Sequence, residues 1–405
     1  MADARARDRG RAHLTLRTVP AREESANRRR KSARKTPHLV DLRSFLDIDA
    51  KLATVPADLL TVLAAVEYGR GREDLFRAQA PQVLERLAAR TRFDSITASS
   101  AIEDVVVDDD RALTLLRESA RDDGSFRNRS EAEFAGYRDA TDELLHKRAE
   151  PLTVPLVLHI HRLLMRHAGD PLAGKLKTSD NVIGNRDPDG RVTVVFKPVP
   201  PGPETERQLV ELTARYEQAL ADARLPPVLL LGALVLDFLA IHPFQDGNGR
   251  VARLLTTAEL LRHGFGVARY VSIEQRIFET KHSYYAALRA SQAGRHRGTH
   301  DVWPWLGYLL RILADAYDDF ALRVAAGTEL VGATKEEQAR NYILTQAPRS
   351  FRLAQIADAL PDISQATIRN ALDGLKAEGR LEVGRGRSAT WTRTDEPARA
   401  GGGSG

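Results

Sequence analysis

The sequence predicts a mainly α-helical protein with one β-hairpin and a small C-terminal domain of mixed structure, and three observations lead there. Apolar residues recur at three- and four-residue spacing through residues 46–164 and again from Thr205 onward. A pair of β-branched segments between Asn181 and Phe196 flanks a strong turn signal. Residues 338–395 then run helix, helix, helix, strand, strand, which is the order of a winged helix-turn-helix.

The elements follow in order. Residues 46–150 read as several helices, with Leu59, Leu60, Val62, Leu63 and Val66 on helical spacing. A further helix from Pro155 through Leu164 puts Leu156, Ile160 and Leu163 on one face and breaks at Gly169-Asp170-Pro171. The hairpin pairs Asn181-Val182-Ile183-Gly184-Asn185 with Val192-Thr193-Val194-Val195-Phe196. Pro198, Pro200 and Pro201 then end the second strand, because proline cannot donate to a ladder. Helices resume over Thr205–Leu220 and Pro227–Ala240, the second so uniformly apolar that burial on all sides is expected. After a polar, glycine-rich interruption, Val251–His263 is helical, and Trp303-Pro304-Trp305 opens a last long helix to about Val324. The C-terminal helices are expected at Ala339–Thr345, Leu353–Leu360 and Ser364–Glu378, with strands at Arg380–Gly384 and Ser388–Arg393.

Composition narrows the chemistry. The 405 residues include no Cys, which excludes disulfides, thiolate metal sites and a cysteine nucleophile, so any metal would sit on oxygen or His. No apolar run reaches the roughly 18 residues that cross a bilayer, and no apolar h-region follows the N-terminal charges, so a cytoplasmic protein without a membrane partner is expected. The net charge of +5 is local: residues 1–40 hold twelve Arg or Lys against four Asp or Glu, which leaves the rest of the chain at −3. Residues 1–45 are expected to form a disordered basic tail and residues 396–405 a flexible one.

One stretch concentrates reactive types: His242-Pro243-Phe244-Gln245-Asp246-Gly247-Asn248-Gly249-Arg250, with Arg253 one turn further on. Glycines allow close backbone approach, and a starting helix offers unpaired N–H groups and the positive end of its dipole, so Gly247, Asn248 and Gly249 suit phosphate. Arg250 and Arg253 lie three apart on one helix face and can grip one polyphosphate with forked hydrogen bonds. Asp246 offers the hard oxygen that a Mg²⁺ shared with phosphates takes, and a neutral His242 can accept a proton from an attacking hydroxyl. Base, metal ligand, anion cradle and two cations within twelve residues describe phosphoryl or nucleotidyl transfer.

These residues resemble the Fic family signature His-x-Phe-x-Asp/Glu-Gly-Asn-Gly-Arg-x-x-Arg, matched at every fixed position. The resemblance runs from about Phe93 to Leu313 and implies a Fic-type helical bundle whose hairpin is a flap. It implies a protein adenylyltransferase that uses ATP and Mg²⁺: His242 as the base, Asp246 for the metal, Gly247, Asn248 and Gly249 for the α and β phosphates, Arg250 for the phosphate bridge and Arg253 for the γ phosphate. Glycine at 249, where the kinase-like Doc branch has Lys, implies transfer of AMP. Ser99-Ser100-Ala101-Ile102-Glu103-Asp104 is similar to the family's inhibitory helix, which would set Glu103, with Ser99, against Arg253; it departs at Asp104, where the family has Gly or Asn. In relatives the 182–196 flap pins a target segment as an added strand, and the stretch holding Tyr284 and Tyr285 approaches the nucleotide base. Relatives also pair, so a homodimer belongs to the expectation.

The expected organisation is therefore the tail, an N-terminal helical region with the inhibitory segment (46–150), a Fic catalytic core (151–325) and a winged helix-turn-helix (335–395). A competing reading makes the last domain the functional end, a DNA-binding regulator. Ser364 would cap its recognition helix, Arg369 and Lys376 would face outward, and Arg385 and Arg387 would sit in the wing. Eight basic against five acidic residues over 341–394 is a modest surplus for neutralising phosphates, and such domains also bind proteins. Transfer of another phosphate-linked group, or AMP removal by the same site, remains the alternative within the enzyme class.

Overall fold

The computed structural model describes residues 16–20, 44–79, 81–117, 126–147, 150–186, 192–329, 333–384 and 390–394. They fall into two compact units, Met1–Gly71 with Arg92–Ala316, and Arg72–Thr91 with Tyr317–Gly405.

The elements run β1 (Leu16–Pro20), α1 (Ile48–Leu52), α2 (Ala57–Gln79), α3 (Pro81–Ile102), α4 (Asp109–Arg117), α5 (Arg129–Lys147) and α6 (Val154–Met165). Then come β2 (Asn181–Arg186), β3 (Val192–Phe196), α7 (Pro203–Asp222), α8 (Pro227–Ile241), α9 (Asn248–Arg262), α10 (Ile273–Glu279), α11 (Lys281–Gln292) and α12 (Trp303–Glu329). The first unit is built around α8. Every residue from Val228 to Ile241 is buried, as its unbroken apolar run predicts. Its one charge, Asp237, accepts hydrogen bonds from Arg295 Nη2 at 2.7 Å and from the backbone and hydroxyl of Ser44. That pairing is what makes a fully buried carboxylate tolerable. Trp305 Nε1 donates to Gly232 O at 2.9 Å, and a Cβ on Gly232 would overlap the Leu306 side chain.

Helix α6 starts where Thr153 accepts from Leu156 N–H at 3.3 Å, with Pro155 in the first turn. Its buried face is Val157, Ile160, His161 and Leu164, one step round from the expected Leu156, Ile160 and Leu163. The side facing α5 decides this: Gly136 of α5 has no side chain, so the Leu164 carbonyl comes where a Cβ would otherwise be. Helix α7 has Pro203 at its start, Glu204 and Glu206 in its first turn, and Leu209, Leu212 and Tyr216 on its buried side.

The hairpin forms, with Ile183 opposite Phe196, Gly184 opposite Val194 and an irregularity between Ile183 and Gly184. Its turn, 187–191, lies outside the described residues. A third strand corrects the expectation of a wholly disordered tail: Leu16–Pro20 pairs antiparallel with β2, giving sheet order β1-β2-β3. Strand β2 has an outer row of backbone groups to satisfy, and Thr18-Val19 is a β-branched pair able to meet it. The remainder of the tail up to residue 43, and residues 395–405, lie outside the described residues.

In the second unit, Phe76 meets Phe320 edge to face at 5.3 Å and Tyr317 Oη donates to Glu73 at 2.6 Å. Helices α13 (Lys335–Thr345), α14 (Leu353–Ala359) and α15 (Gln365–Ala377) follow, with strands β4 (Ser350–Phe351), β5 (Leu381–Val383) and β6 (Trp391–Arg393) in the order β4-β6-β5. Thr334 and Glu337 form a capping box on α13, and Ser364 caps α15 as expected. Ile343, Ile356, Ile368, Leu372 and Leu375 form its core. Two-residue β4 carries too little pattern to be read from sequence. Arg369 and Lys376 are exposed, while Arg385 and Arg387 lie outside the described residues.

Candidate active site

The motif loop begins where α8 ends. His242 takes a left-handed conformation (φ 52°) and its N–H closes on Phe238 O at 2.8 Å, turning the chain into the loop. Gly247 (φ 78°) turns it again into α9. Asn248 holds the loop shut by accepting from Phe244 N–H at 2.9 Å and donating to Phe244 O at 2.8 Å. Its side chain is thus spent on the loop, and what it can offer a ligand is its backbone N–H. Helix bonding in α9 begins with Val251 N–H to Gly247 O at 2.9 Å, so the N–H groups ahead of it have no intrahelical partner.

Residues outside the motif brace it. His161 stacks on Phe244 at 3.8 Å, donates from Nε2 to Asp246 O at 3.2 Å and accepts Gly174 N–H on Nδ1 at 3.0 Å. Burial pushes its pKa down to about 4, which keeps it neutral for these roles. Lys177 donates from Nζ to Ile241 O and Asn181 Oδ1, both at 3.1 Å, and burial pushes it down to about 8. Asn181 in turn donates to Phe244 O at 3.0 Å, which ties the root of β2 to the loop.

His242 Nδ1 lies 3.2 Å from Leu239 O. A carbonyl only accepts, so Nδ1 carries the proton and Nε2 keeps its lone pair. Burial first, and the nearby Lys177 charge second, push His242 down to about 3. The imidazole is therefore neutral near pH 7 and available as a base.

His242, Asp246, Gly249, Arg250, Arg253, Glu103, Tyr284 and Tyr285 all line one cleft of about 410 Å³. The structure thus gathers the expected residues, with Gly247 and Asn248 in the loop below and Ser99 on the far side of Arg253. Arg250 Nη1 is 2.6 Å from Glu133 Oε2, and its Nη2 lies 3.4 Å from Asp246. Arg129 holds the other oxygen of Glu133 at 2.6 Å. Asp246 accepts Gly247 N–H at 2.7 Å and is half exposed toward the cleft.

Arg253 is buried and fully engaged. Its Nε donates to Ser99 Oγ at 2.8 Å, and its Nη2 to Ser99 O at 3.1 Å and to Glu103 Oε1 at 2.9 Å. The Glu103 carboxylate raises the Arg253 pKa despite burial. A Cβ on Gly249 would collide with Glu103 Oε1, so the glycine is what admits this carboxylate. Asp104, the departure from the family pattern, still ends α3. It adopts the left-handed φ of 61°, its N–H bonds Ala101 O at 3.1 Å and Val105 N–H bonds Ser100 O at 3.0 Å, the two bonds of a Schellman motif. Lys281 adds a donor to Ile102 O at 2.6 Å and stands 4.0 Å from the Asp104 carboxylate.

Tyr284 and Tyr285 serve as both packing and lining. Tyr284 is buried against Tyr285, Trp305 and Tyr308 with ring centroids 5.1–5.9 Å apart, and burial raises the pKa of both Tyr284 and Tyr285. Glu133, Lys177 and Lys281 escaped the sequence reading. Their partners lie 117, 64 and 179 residues away, and no local pattern marks them.

A glycine-rich loop that opens a helix, with two arginines on that helix, is an arrangement able to receive a phosphate group. Residues 151–260 match the model of the Fic/DOC family. "Protein adenylyltransferase Fic" of Nematostella vectensis is 27% identical over 176 residues, 44% of this chain and 36% of that protein. "Protein adenylyltransferase fic-1" of Caenorhabditis elegans is 25% identical over 243 residues, 59% of this chain and 43% of that protein. The match thus spans less than half the length of these relatives. A crystal structure of a Fic family protein from Desulfovibrio desulfuricans G20 shares the fold with a TM-score of 0.52, at 22% identity over 85% of this chain and 98% of that one. Residues 134–508 of Fic-1 from C. elegans do so at 0.50, with 23% identity over 65% and 71% of the chains. The chain thus carries a Fic/DOC domain over residues 151–260 and shares the fold of Fic proteins of known structure. Among the described residues, no helix is long and apolar enough to cross a membrane.

Proposed function

We propose that this chain transfers AMP from ATP to a hydroxyl of a protein. The observation that supports it is the meeting, in one cleft, of a neutral His242 with Nε2 unprotonated, the start of α9, and Arg250 and Arg253. The acceptor oxygen attacks the α phosphorus, the bond to the β-phosphate oxygen breaks, and the acceptor proton passes to His242 Nε2. Arg250 and the α9 amides hold charge building on the departing pyrophosphate. Asp246 suits a Mg²⁺: it is half exposed and only weakly held by Arg250, and this ion takes one or two protein carboxylates with phosphates and water for the rest. When bound, the ion supplies neutralisation of phosphate charge.

Glu103 is the restraint in this reading. It holds the guanidinium that the terminal phosphate of ATP would need, so the resting chain is weakly active. Gly249 favours AMP over terminal phosphate as the group moved. The target segment docks along the 182–196 flap as an added strand.

The test is incubation with ATP labelled at the α or the γ phosphate, Mg²⁺ and lysate, alongside His242→Ala. Label from the α position that disappears in the variant supports the reading, and label from the γ position alone overturns it. Prior labelling followed by a chase without ATP detects AMP removal. A second reading gives α15 a DNA contact, because Arg369 and Lys376 are exposed on it. Gel shifts of the full chain at low and high salt test that, and no shift at low salt sinks it.

A further inference from the structure

Arg129 reaches the cleft from outside the motif. We propose that it is a third polyphosphate-binding cation of this site, gripping the part of ATP that leaves as pyrophosphate. The inference rests on the proposed transfer and adds a residue that the His242–Arg253 stretch does not contain.

Three observations carry it. First, Arg129 and Ser130, at the start of α5, line the cleft together with His242, Arg250 and Arg253. Second, Arg129 is the accessible one of these three arginines. The side chains of Arg250 and Arg253 are 3% and 2% exposed, whereas that of Arg129 is 69% exposed. Arg253 is spent on Ser99 and Glu103, and Arg250 on Glu133 with a longer contact to Asp246. Arg129 bonds Glu133 Oε1 through Nε alone, so among the described residues its Nη1 and Nη2 groups have no hydrogen-bond partner. Those two groups form the forked edge that matches a pair of phosphate oxygens. Third, Glu133 joins Arg129 to Arg250. Its Oε1 takes Arg129 and its Oε2 takes Arg250, each at 2.6 Å, so one negative charge stands between two positive ones. The surplus positive charge falls to the more exposed group.

The backbone beneath Arg129 is fixed while its head is not. Asn128 Oδ1 accepts Glu131 N–H and Glu131 Oε2 accepts Arg127 N–H, both at 3.0 Å, and Arg111 Nη2 holds Glu131 at 3.0 Å. A long side chain on such a base turns over the cleft without moving the helix. In the proposed transfer, charge builds on the β-phosphate oxygen as its bond to the α phosphorus breaks. Arg250 meets that charge from the buried side and Arg129 from the open side, with Glu133 keeping both in register.

The experiment uses the full chain as wild type and as Glu103→Gly, each with and without Arg129→Ala, and reads the Kd of ATP with Mg²⁺ by calorimetric titration. AMP and pyrophosphate are then titrated as competitors. Arg129→Ala should weaken ATP and pyrophosphate by about five- to tenfold and leave AMP unchanged, and Arg129→Lys should recover part of the loss. Thermal melts should match wild type, because Glu133 keeps Arg250 as its partner; if Arg129→Ala fails to fold, the comparison of Arg129→Lys with Arg129→Gln decides. Arg289→Ala, which removes another exposed arginine from the same lining, should not separate ATP from AMP. ATP affinity unchanged by loss of Arg129, equal weakening of ATP and AMP, or the same separation in Arg289→Ala overturns the inference and leaves AMP transfer standing. Absence of ATP binding to every chain, Glu103→Gly included, overturns the activity and the inference together.

Discussion

The Glu103 carboxylate meets the Arg253 guanidinium at 2.9 Å beside the bare Cα of Gly249. If nucleotide and Glu103 share Arg253, Glu103→Gly should raise ATP affinity on the order of tenfold, the worth of one charge-assisted hydrogen bond. Calorimetric titration reads this directly, and an unchanged Kd separates the two. Gly249→Ala should destabilise the protein by about 1–3 kcal/mol and by less in the Glu103→Gly background, because the added methyl then has no carboxylate to meet.

Asp104 holds a left-handed conformation that costs a non-glycine residue about 1–2 kcal/mol. Asp104→Gly should therefore be at least as stable as wild type in thermal melts, despite losing the loose pairing with Lys281. Lys281→Met removes the donor to Ile102 O and should speed amide exchange in the last turn of α3. Unchanged exchange there would mean that the backbone motif alone holds Glu103 in place.

Glu133 and Arg250 form a buried pair at 2.6 Å. Glu133→Ala leaves a guanidinium without its partner and should cost about 3–5 kcal/mol in chemical denaturation, with Glu133→Gln costing less. The Glu133→Ala and Arg250→Ala effects should be strongly non-additive. Additive effects would show that the two side chains stand independently.

His242 and His161 are depressed by burial to about 3 and about 4 from an ordinary 6.5. Between pH 6.5 and those values the unfolded chain binds protons that the folded chain does not. Stability should therefore be fully present above about pH 6.5 and fall on acidification, each histidine contributing up to about 1.4 kcal/mol per pH unit. Urea unfolding across that range checks it, and a variant lacking either histidine should show a shallower slope.

The reactive stretch was legible because it is contiguous: His242 to Arg253 carries base, glycines and arginines within twelve residues. The burial of α8 was legible from composition alone, and the Glu103 pairing only through family resemblance. The face of α6 was misread by one step because Leu156 and Leu163 are as apolar as Val157 and Leu164, and only the glycine contact with α5 tells them apart. Glu133, Lys177 and Lys281 look like ordinary surface charges until folding brings distant carbonyls and guanidinium groups to them. Strand β1 was hidden in a segment of high charge, where five residues acquire strand character only from the β2 edge they meet.

Asn181 is at once the first residue of β2 and a hydrogen-bond donor to the Phe244 carbonyl, and Lys177 grips both Asn181 and the end of α8. The sheet is therefore pinned to the His242–Arg253 loop at its zero mark, and any strand laid along β2 is measured from that mark as if against a ruler. Under the proposed transfer, selection of the modified residue becomes a matter of counting. A hydroxyl one position out of step would fall on the opposite face, whatever its neighbours, so a site read in this way would be strict about position while staying indifferent to most of the sequence around it.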